Sequence, residues 1–556
     1  MAAMVDFAGA ARAQRERAAA FRWELPERFN FGRDVVDRFA ADPGRPALLW
    51  RDALGAERRL SYADVARASH RVAHVLRARG IGPGDPVLIL LPRVPEWHVA
   101  MVGVLEAGAL AVPCSTMLRP KDLAYRAGHS QARALLAAAE QVPVVEAARA
   151  ELPSIRHLFV SGGSGPPAPG WEAWGAACAA APDDAGAQAD TAAADPALVY
   201  YTSGTTGPPK AVLHTHAWTW AQRYTASEWL GLRGDDRLWT TSDTGWAKAA
   251  YSVLFGPWSV GAEVFLYHGR FEPRRELELL AEVAPQVFCA PPTEFRLLVK
   301  EDLSRFTFPR LREVVSAGEP LNPEVIRAWR EATGHGIRDG YGQTETILLV
   351  GNFPGVPIKP GAMGLPMPGH RVEVIDEEGA PLPPGEVGDL ALHGAPPSLF
   401  RGYWKDEAAT RRCRRGPWYL TGDRARRDED GWLWFVGRAD DVIISAGYRI
   451  GPFEVESALL EHPAVLEAAV VAAPDPDRGS IVKAFVVLRP GVPGDPALAR
   501  ALQEHVKRVT APYKYPRAIA FVAELPKTVS GKIRRVELRL QDAAGAAPRT
   551  GDEPSP

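Results

Sequence analysis

An amphipathic helix that leads directly into a wholly apolar strand is the pattern that most restricts how this chain can fold. Leu60-Ser61-Tyr62-Ala63-Asp64 offers a serine cap with an acid three residues on, and Val65, Ala68, Val72 and Val75 then recur at helical spacing until Gly80 ends the run. After the turn Gly82-Pro-Gly-Asp85 comes Val87-Leu88-Ile89-Leu90-Leu91, short and without a polar residue, as a buried strand requires. Helix followed by buried strand predicts an α/β architecture. Leu198–Tyr201 and Gln286–Ala290 read as further core strands, each running into a Gly- or Pro-rich loop.

Beyond about His370 the pattern changes to shorter strands separated by turns: Arg371–Asp376, Val387–Leu392 and Trp432–Val436. The last part reads as a small α+β unit. Asp495-Pro496 caps a helix whose apolar face is Leu498, Leu502, Val506 and Val509, and strands are expected at Val465–Ala472, Lys483–Leu488 and Ile519–Ala523. Residues Ala544–Pro556, rich in Ala, Gly, Pro and charge, are expected to form a disordered tail. A chain of 556 residues also exceeds one ordinary core, so at least two domains are expected.

Composition narrows the function classes. The net charge of −2 removes the bulk electrostatic argument for a nucleic-acid binder. Cys114, Cys178, Cys289 and Cys413 are too scattered for a disulfide framework or a structural zinc site. The N-terminal stretch lacks the apolar core of a signal peptide, and no apolar run is long enough for a membrane span, so a cytoplasmic protein is expected.

The most informative stretch is Val199-Tyr-Tyr-Thr-Ser-Gly-Thr-Thr-Gly-Pro-Pro-Lys210. A core strand delivers Thr202, Ser203, Gly204, Thr205, Thr206 and Gly207 into a loop of hydroxyls and unobstructed amides, suited chemically to phosphate. Pro208 and Pro209 separate Lys210 from Gly207, which distinguishes it from the common Gly-x-x-x-x-Gly-Lys-Ser/Thr loop. Taken alone, an ordinary Ser/Thr/Gly surface loop is an equal reading.

This stretch closely resembles the phosphate loop of the adenylate-forming enzymes. Further motifs of that family follow in order: Ala317-Gly-Glu-Pro320, Asp339-Gly-Tyr-Gly-Gln-Thr-Glu345, Tyr419-Leu-Thr-Gly-Asp423, Gly437-Arg-Ala-Asp-Asp441, Ser445-Ala-Gly-Tyr-Arg449 and Pro526-Lys-Thr-Val-Ser-Gly-Lys532. Ser242-Asp-Thr-Gly-Trp246 and Ala290-Pro-Pro-Thr293 look most like the medium-chain and acetyl-CoA synthetase branch. The resemblance implies a large N-terminal adenylating domain (1–437) of mixed sheets and helices, a hinge (438–441), and a small mobile α+β C-terminal domain (442–543) before the tail (544–556). It also implies an AMP-forming acyl-CoA synthetase that uses ATP, Mg²⁺ and CoA. A carboxylate displaces pyrophosphate from ATP, and a thiol then displaces AMP.

Roles carried over by the resemblance are as follows. Thr202–Gly207 and Lys210 hold the outer phosphates, while Thr344 and Glu345 meet the α-phosphate, with Glu345 on Mg²⁺. Gly318, Glu319, Pro320, Asp339, Tyr341, Gly342 and Gln343 surround adenine, and Asp423 and Arg438 serve the ribose. Lys532 stabilises the attacking carboxylate and is a plausible target for a lysine acetyltransferase. Arg449 is a phosphate partner from the mobile domain, Asp440 is the hinge, and Gly447 and Tyr448 approach CoA. Most lysines and arginines beside such a motif are solvated, and that is expected of Lys527 and Arg535.

Trp246, Ala247, Lys248, Ala317 and Gly342 form the acyl pocket in this reading. Acetyl-CoA synthetases place a Trp where Gly342 stands and Val at Ala247 and Ala317, so an acid larger than acetate is expected. Lys248 points either outward or into the pocket, where it needs a substrate hydroxyl or a protein acid. Candidates are a short branched or hydroxylated acid such as 2-hydroxyisobutyrate, a medium-chain acid, or an aryl acid. A stand-alone adenylation enzyme loading a carrier protein, and an inactive nucleotide-binding homologue, are the alternatives.

Overall fold

The computed structural model describes residues 5–163, 165–202, 209–445, 448–475, 479–527 and 532–546. The expected helix spans Tyr62–Ala78 and begins with a reciprocal cap: Asp64 N donates to Ser61 Oγ at 3.1 Å and Ser61 N donates to the Asp64 carboxylate at 2.9 Å. The apolar run that follows is the strand Pro86–Leu90. Every residue in it is buried, between parallel neighbours Leu110–Pro113 and Ala134–Ala138.

Among the described residues two large sheets form the N-terminal part. The eight-stranded one carries Pro86–Leu90 centrally and ends in the antiparallel hairpin Pro196–Thr202 with Lys210–Thr215, flanked by Gly402–Tyr403. In the nine-stranded sheet Ile337–Gln343, Glu313–Ala317, Val287–Ala290, Arg237–Thr240 and Glu263–His268 lie side by side and parallel. Their carboxyl ends therefore open along one edge, the place where open α/β sheets bind ligands. A five-stranded antiparallel sheet, including Val387–His393, Trp418–Arg427 and Leu433–Arg438, packs beyond it.

The smaller C-terminal part has the expected α+β character. Val465–Asp475, Gly479–Leu488 and Ala518–Phe521 form a three-stranded sheet, covered by the helix Pro496–Val509. Asp495 caps that helix through Leu498 N at 2.7 Å, and Leu502 and Val506 are buried, whereas Val509 is exposed. Two expectations need correction. Residues 544–546 belong to the helix Arg535–Ala546 rather than to a disordered tail. Arg535 is not solvated: it makes a two-pronged pair with the buried Glu456, both contacts at 2.8 Å. Lys527, by contrast, is exposed as expected, and pairs at the surface with Glu467 at 2.8 Å. No described helix is long and apolar enough to cross a membrane.

Candidate active site

The strand Arg237–Thr240 ends in a loop pressed against the neighbouring sheet. At Gly245 an added Cβ would lie 2.1 Å from Ser115 N, so only glycine allows this approach, and Ser115 Oγ donates to Asp243 at 3.1 Å. The loop leads through the half-buried Trp246 into Ala247 and Lys248. Lys248 points inward, with Nζ donating to the Ala317 carbonyl at 3.3 Å, at the end of Glu313–Ala317. Its charge also reaches Glu294, which burial lifts to about 7 against the opposing Lys248 charge. A protein acceptor and a protein acid therefore answer this cation. Ala317 is buried and Ala247 partly so, both against the main core.

The chain leaves that strand at Gly318, whose φ of +111° suits glycine. Glu319 is held by Thr293 Oγ1 at 2.8 Å and Arg296 at 3.3 Å, with Pro320 half-buried beyond it. Ser316 and Ala317 pair with Asp339 and Gly340, which brings Gly318–Pro320 beside Asp339. Burial lifts the Asp339 carboxyl to about 7, opposed by backbone amides of Gly340 and Leu321.

From Asp339 the strand continues as Tyr341, Gly342 and Gln343, then turns back at Thr344–Thr346 into Ile347–Gly351. Gly342 has a structural reason of its own. A Cβ there would meet the Ile347 carbonyl oxygen at 1.7 Å, beside a register shift in the hairpin. The space in the Cβ direction belongs to Ile347 rather than to an acyl group, which corrects the expectation that this glycine widens the pocket. Thr344 is half-buried in the turn, and the Glu345 carboxylate accepts from Tyr403 Oη at 2.8 Å. The Tyr403 ring carries Lys210 Nζ 5.0 Å from its centroid. Thr202, the last residue of its strand, pairs with Lys210 across the hairpin. The Glu345 carboxylate and the base of the 202–210 loop thus share one rim. Ser203, Gly204, Thr205, Thr206 and Gly207 themselves lie outside the described residues.

Asp423 is the centre of a second network. Its Oδ2 accepts from Tyr341 Oη at 2.5 Å and Gln343 Nε2 at 2.9 Å, while Arg438, directly across the strand pair, lies 3.6 Å from Oδ1. Gln343 is fixed in turn by the Thr421 carbonyl and Tyr419 Oη. Burial raises the Asp423 pKa above its ordinary value, and the Tyr341 hydrogen bond, Arg438, Gln343 and the Lys532 charge oppose it. Lys532, from the C-terminal part, is exposed, and its charge reaches the same carboxylate.

Arg438 also faces Asp440 at 3.6 Å, and Asp441 is held by Arg539 at 2.5 Å. Tyr448 is exposed and stacks on Tyr513, with ring centroids 4.4 Å apart. Gly447 and the Arg449 side chain lie outside the described residues, although the Arg449 backbone pairs with Ile444.

Two family models fit the chain: the AMP-binding enzyme model over residues 36–404 and the AMP-binding enzyme C-terminal domain over residues 454–532. The chain belongs to the AMP-binding enzyme family. It is 45% identical over 539 residues to the mitochondrial acyl-coenzyme A synthetase ACSM3 of Mus musculus, covering 94% of this chain and 92% of that one. It is 44% identical to the uncharacterized acyl-CoA ligase YtcI of Bacillus subtilis, covering 93% and 97%. The crystal structure of the anthranilate CoA ligase AuaEII with anthranoyl-AMP superposes with a TM-score of 0.87 at 33% identity, over 94% of this chain and 99% of that chain. The protein is thus an adenylate-forming acyl-CoA synthetase, an acid-thiol ligase acting with ATP and CoA.

Sequence reasoning did not single out Tyr403, Tyr419, Glu294 or Glu456. Each acts through a partner distant in the chain, such as Tyr403 on Glu345, 58 residues away. No local spacing announces such pairs.

Proposed function

We propose that this acyl-CoA synthetase activates a medium-chain or short branched carboxylic acid in preference to acetate. The observation that carries the reading is Lys248 on the Ala317 carbonyl at the strand end, where the neighbouring side chains Ala247 and Ala317 are small. Small side chains leave room for an acyl group that acetate would not fill. Because Lys248 already donates to the Ala317 carbonyl, the acid need not bring a hydroxyl, which favours an apolar chain over 2-hydroxyisobutyrate. An aryl acid is the second reading, supported by the likeness to the anthranilate CoA ligase.

The residue roles in this reading are those the family resemblance implies, and the geometry described above is compatible with them. Asp339 beside Gly318–Pro320 takes the adenine amine, and Asp423 with Arg438 takes the ribose hydroxyls. The 202–210 loop, with Lys210, takes the outer phosphates. Glu345, half-buried and oriented by Tyr403, fits a Mg²⁺ ion that shares its other positions with phosphate and water. When bound, that ion neutralises phosphate charge. Lys532 stabilises the attacking carboxylate, and its exposure leaves it open to a lysine acetyltransferase that would remove its charge. Rotation about 438–441 then brings Gly447, Tyr448 and Arg449 toward CoA, with Trp246 lining the approach. A cytoplasmic location belongs to the same reading.

CoA-dependent pyrophosphate release should be measured for acetate, butyrate, 2-methylpropanoate, 2-hydroxyisobutyrate, octanoate and benzoate. The highest kcat/KM is expected with butyrate, 2-methylpropanoate or octanoate. Acetate as the best substrate would sink the reading, and benzoate as the best would select the aryl alternative.

A further inference from the structure

Away from the strand-end site, three helices converge on a buried polar cluster. Asp37 begins the short helix Asp37–Ala40, His70 lies within Tyr62–Ala78, and Glu106 ends Pro95–Glu106. His70 Nε2 is 3.0 Å from Asp37 Oδ1 and 3.8 Å from Glu106 Oε1, and one ligand atom from each of the three residues lies within 4.8 Å of the others. The Gln188 amide nitrogen sits among all three, 2.9 Å from Asp37 Oδ2, 3.2 Å from His70 Nε2 and 3.3 Å from Glu106 Oε1.

The hydrogen-bond inventory of this cluster does not close with neutral groups. His70 Nδ1 faces the Asp183 carbonyl at 3.0 Å, an acceptor only, so its proton resides there. Nε2 of a neutral ring would then aim a lone pair at the Asp37 oxygen. The Gln188 amide at 3.2 Å can donate to that lone pair, and the 3.0 Å approach of Asp37 is closed by a proton shared between the two groups or by a metal ion. Ser69 Oγ donates to Glu106 Oε1 at 3.0 Å, but Glu106 Oε2, on a residue with no exposed surface, has no hydrogen-bond partner among the described residues. Oε1 is the oxygen that faces His70, so a ring proton leaves Oε2 unanswered, whereas a cation held by both carboxylate oxygens of Glu106 would answer it.

We infer that Asp37, His70 and Glu106 form a divalent transition-metal site, with zinc the best match to one imidazole and two carboxylates. Ligands at about 2.0–2.2 Å from one zinc ion stand roughly 3.3–3.6 Å apart, and the observed 3.0 and 3.8 Å bracket that spacing. The Asp183 carbonyl is the partner that fixes the ring so that Nε2 faces the ion. Gln188, turned over at its amide, offers an oxygen in place of its nitrogen. Asp37, with 25% of its side chain exposed, provides the way in. The ion would tie the three helices to the segment carrying Asp183 and Gln188, and none of these residues belongs to the catalytic machinery.

The test is zinc binding to the full-length chain after dialysis against EDTA, by isothermal titration and by thermal melting. One zinc per chain is expected, with a rise in melting temperature, and Asp37→Asn and His70→Ala should each weaken binding by about a hundredfold. Asp37→Asn keeps the shape of the side chain, so it reports even where His70→Ala folds poorly, and it should leave CoA ligation unchanged. No saturable zinc binding by the wild type overturns the site in favour of the protonated ring. Binding that survives in Asp37→Asn overturns it as well, since the metal then sits elsewhere.

Discussion

Asp423→Asn tests the nucleotide half of the site most directly. The substitution preserves size but removes the charge from a carboxylate whose Oδ2 already accepts from Tyr341 and Gln343. Those two fixed donors hold the remaining amide oxygen on their side, so the new NH₂ occupies the Oδ1 position that faces Arg438 at 3.6 Å. The ribose hydroxyls then lose an anionic acceptor and meet a donor. Hydrogen bonds to a charged group contribute about 1.5–3 kcal/mol against about 0.5–1.5 for neutral pairs. Two such bonds therefore weaken by roughly 2–3 kcal/mol in total, and since about 1.4 kcal/mol is tenfold, KM for ATP should rise by roughly 30- to 150-fold. ATP–pyrophosphate exchange, run with the acid that turns over fastest, measures this. Tyr341→Phe is the control: it keeps the carboxylate and removes one protein donor, and should cost less than about tenfold. A KM for ATP within threefold of wild type in a folded Asp423→Asn protein would refute the ribose assignment.

Four further outcomes are expected. Lys532→Ala should abolish adenylate formation yet leave transfer from supplied acyl-adenylate to CoA, and Gly451→Ala should favour the same half-reaction, because its Cβ would lie 2.1 Å from the Val436 carbonyl in the present arrangement; equal loss of both halves in either variant contradicts this. Arg535→Met should cost about 3–5 kcal/mol in urea unfolding by stranding the buried Glu456, whereas Arg535→Met with Glu456→Met should recover most of it, and an additive double mutant would argue against a coupled pair. Between the ordinary 3.8 and about 7, folded Asp339 keeps a proton that the unfolded chain has shed, so stability should fall as pH rises across that window, by at most about 1.4 kcal/mol per pH unit. Asp339→Asn should flatten that slope in the nucleotide-free protein, and an unchanged slope assigns it to another group.

Local chemistry explains what the sequence made legible. The Ser61–Asp64 cap, the all-buried Pro86–Leu90 strand and the Asp495 cap are decided within a few residues, and all stand in the structure. The ordered motifs identified the family for the same reason, since each is a short contiguous stretch of sequence. Long-range pairing was not legible. Arg535 looked like one cation in a basic run, because its partner Glu456 is 79 residues away. Gly342 looked like vacated pocket volume, because the Ile347 backbone that excludes a side chain there becomes its neighbour only once the hairpin closes. Residues 544–546 were assigned to the tail by composition, yet they complete the helix that begins at Arg535.

The junction between the two parts shows how little would need to bend. Arg438 ends a strand of the large part, opposite Asp423, while Asp441 is gripped by Arg539 of the last helix. The proposed swing is thereby confined to Ala439 and Asp440, a two-residue swivel. The ion pairs Arg535–Glu456 and Arg539–Asp441 lie wholly on one side and travel as cargo, so the turn separates neither. What slides is the Val436–Gly437 backbone over Gly451–Pro452, with Phe435 beside Phe453 at 6.2 Å. Such a bearing, made of backbone and apolar side chains, lets the C-terminal part change position without the desolvation cost that parting buried charges would carry.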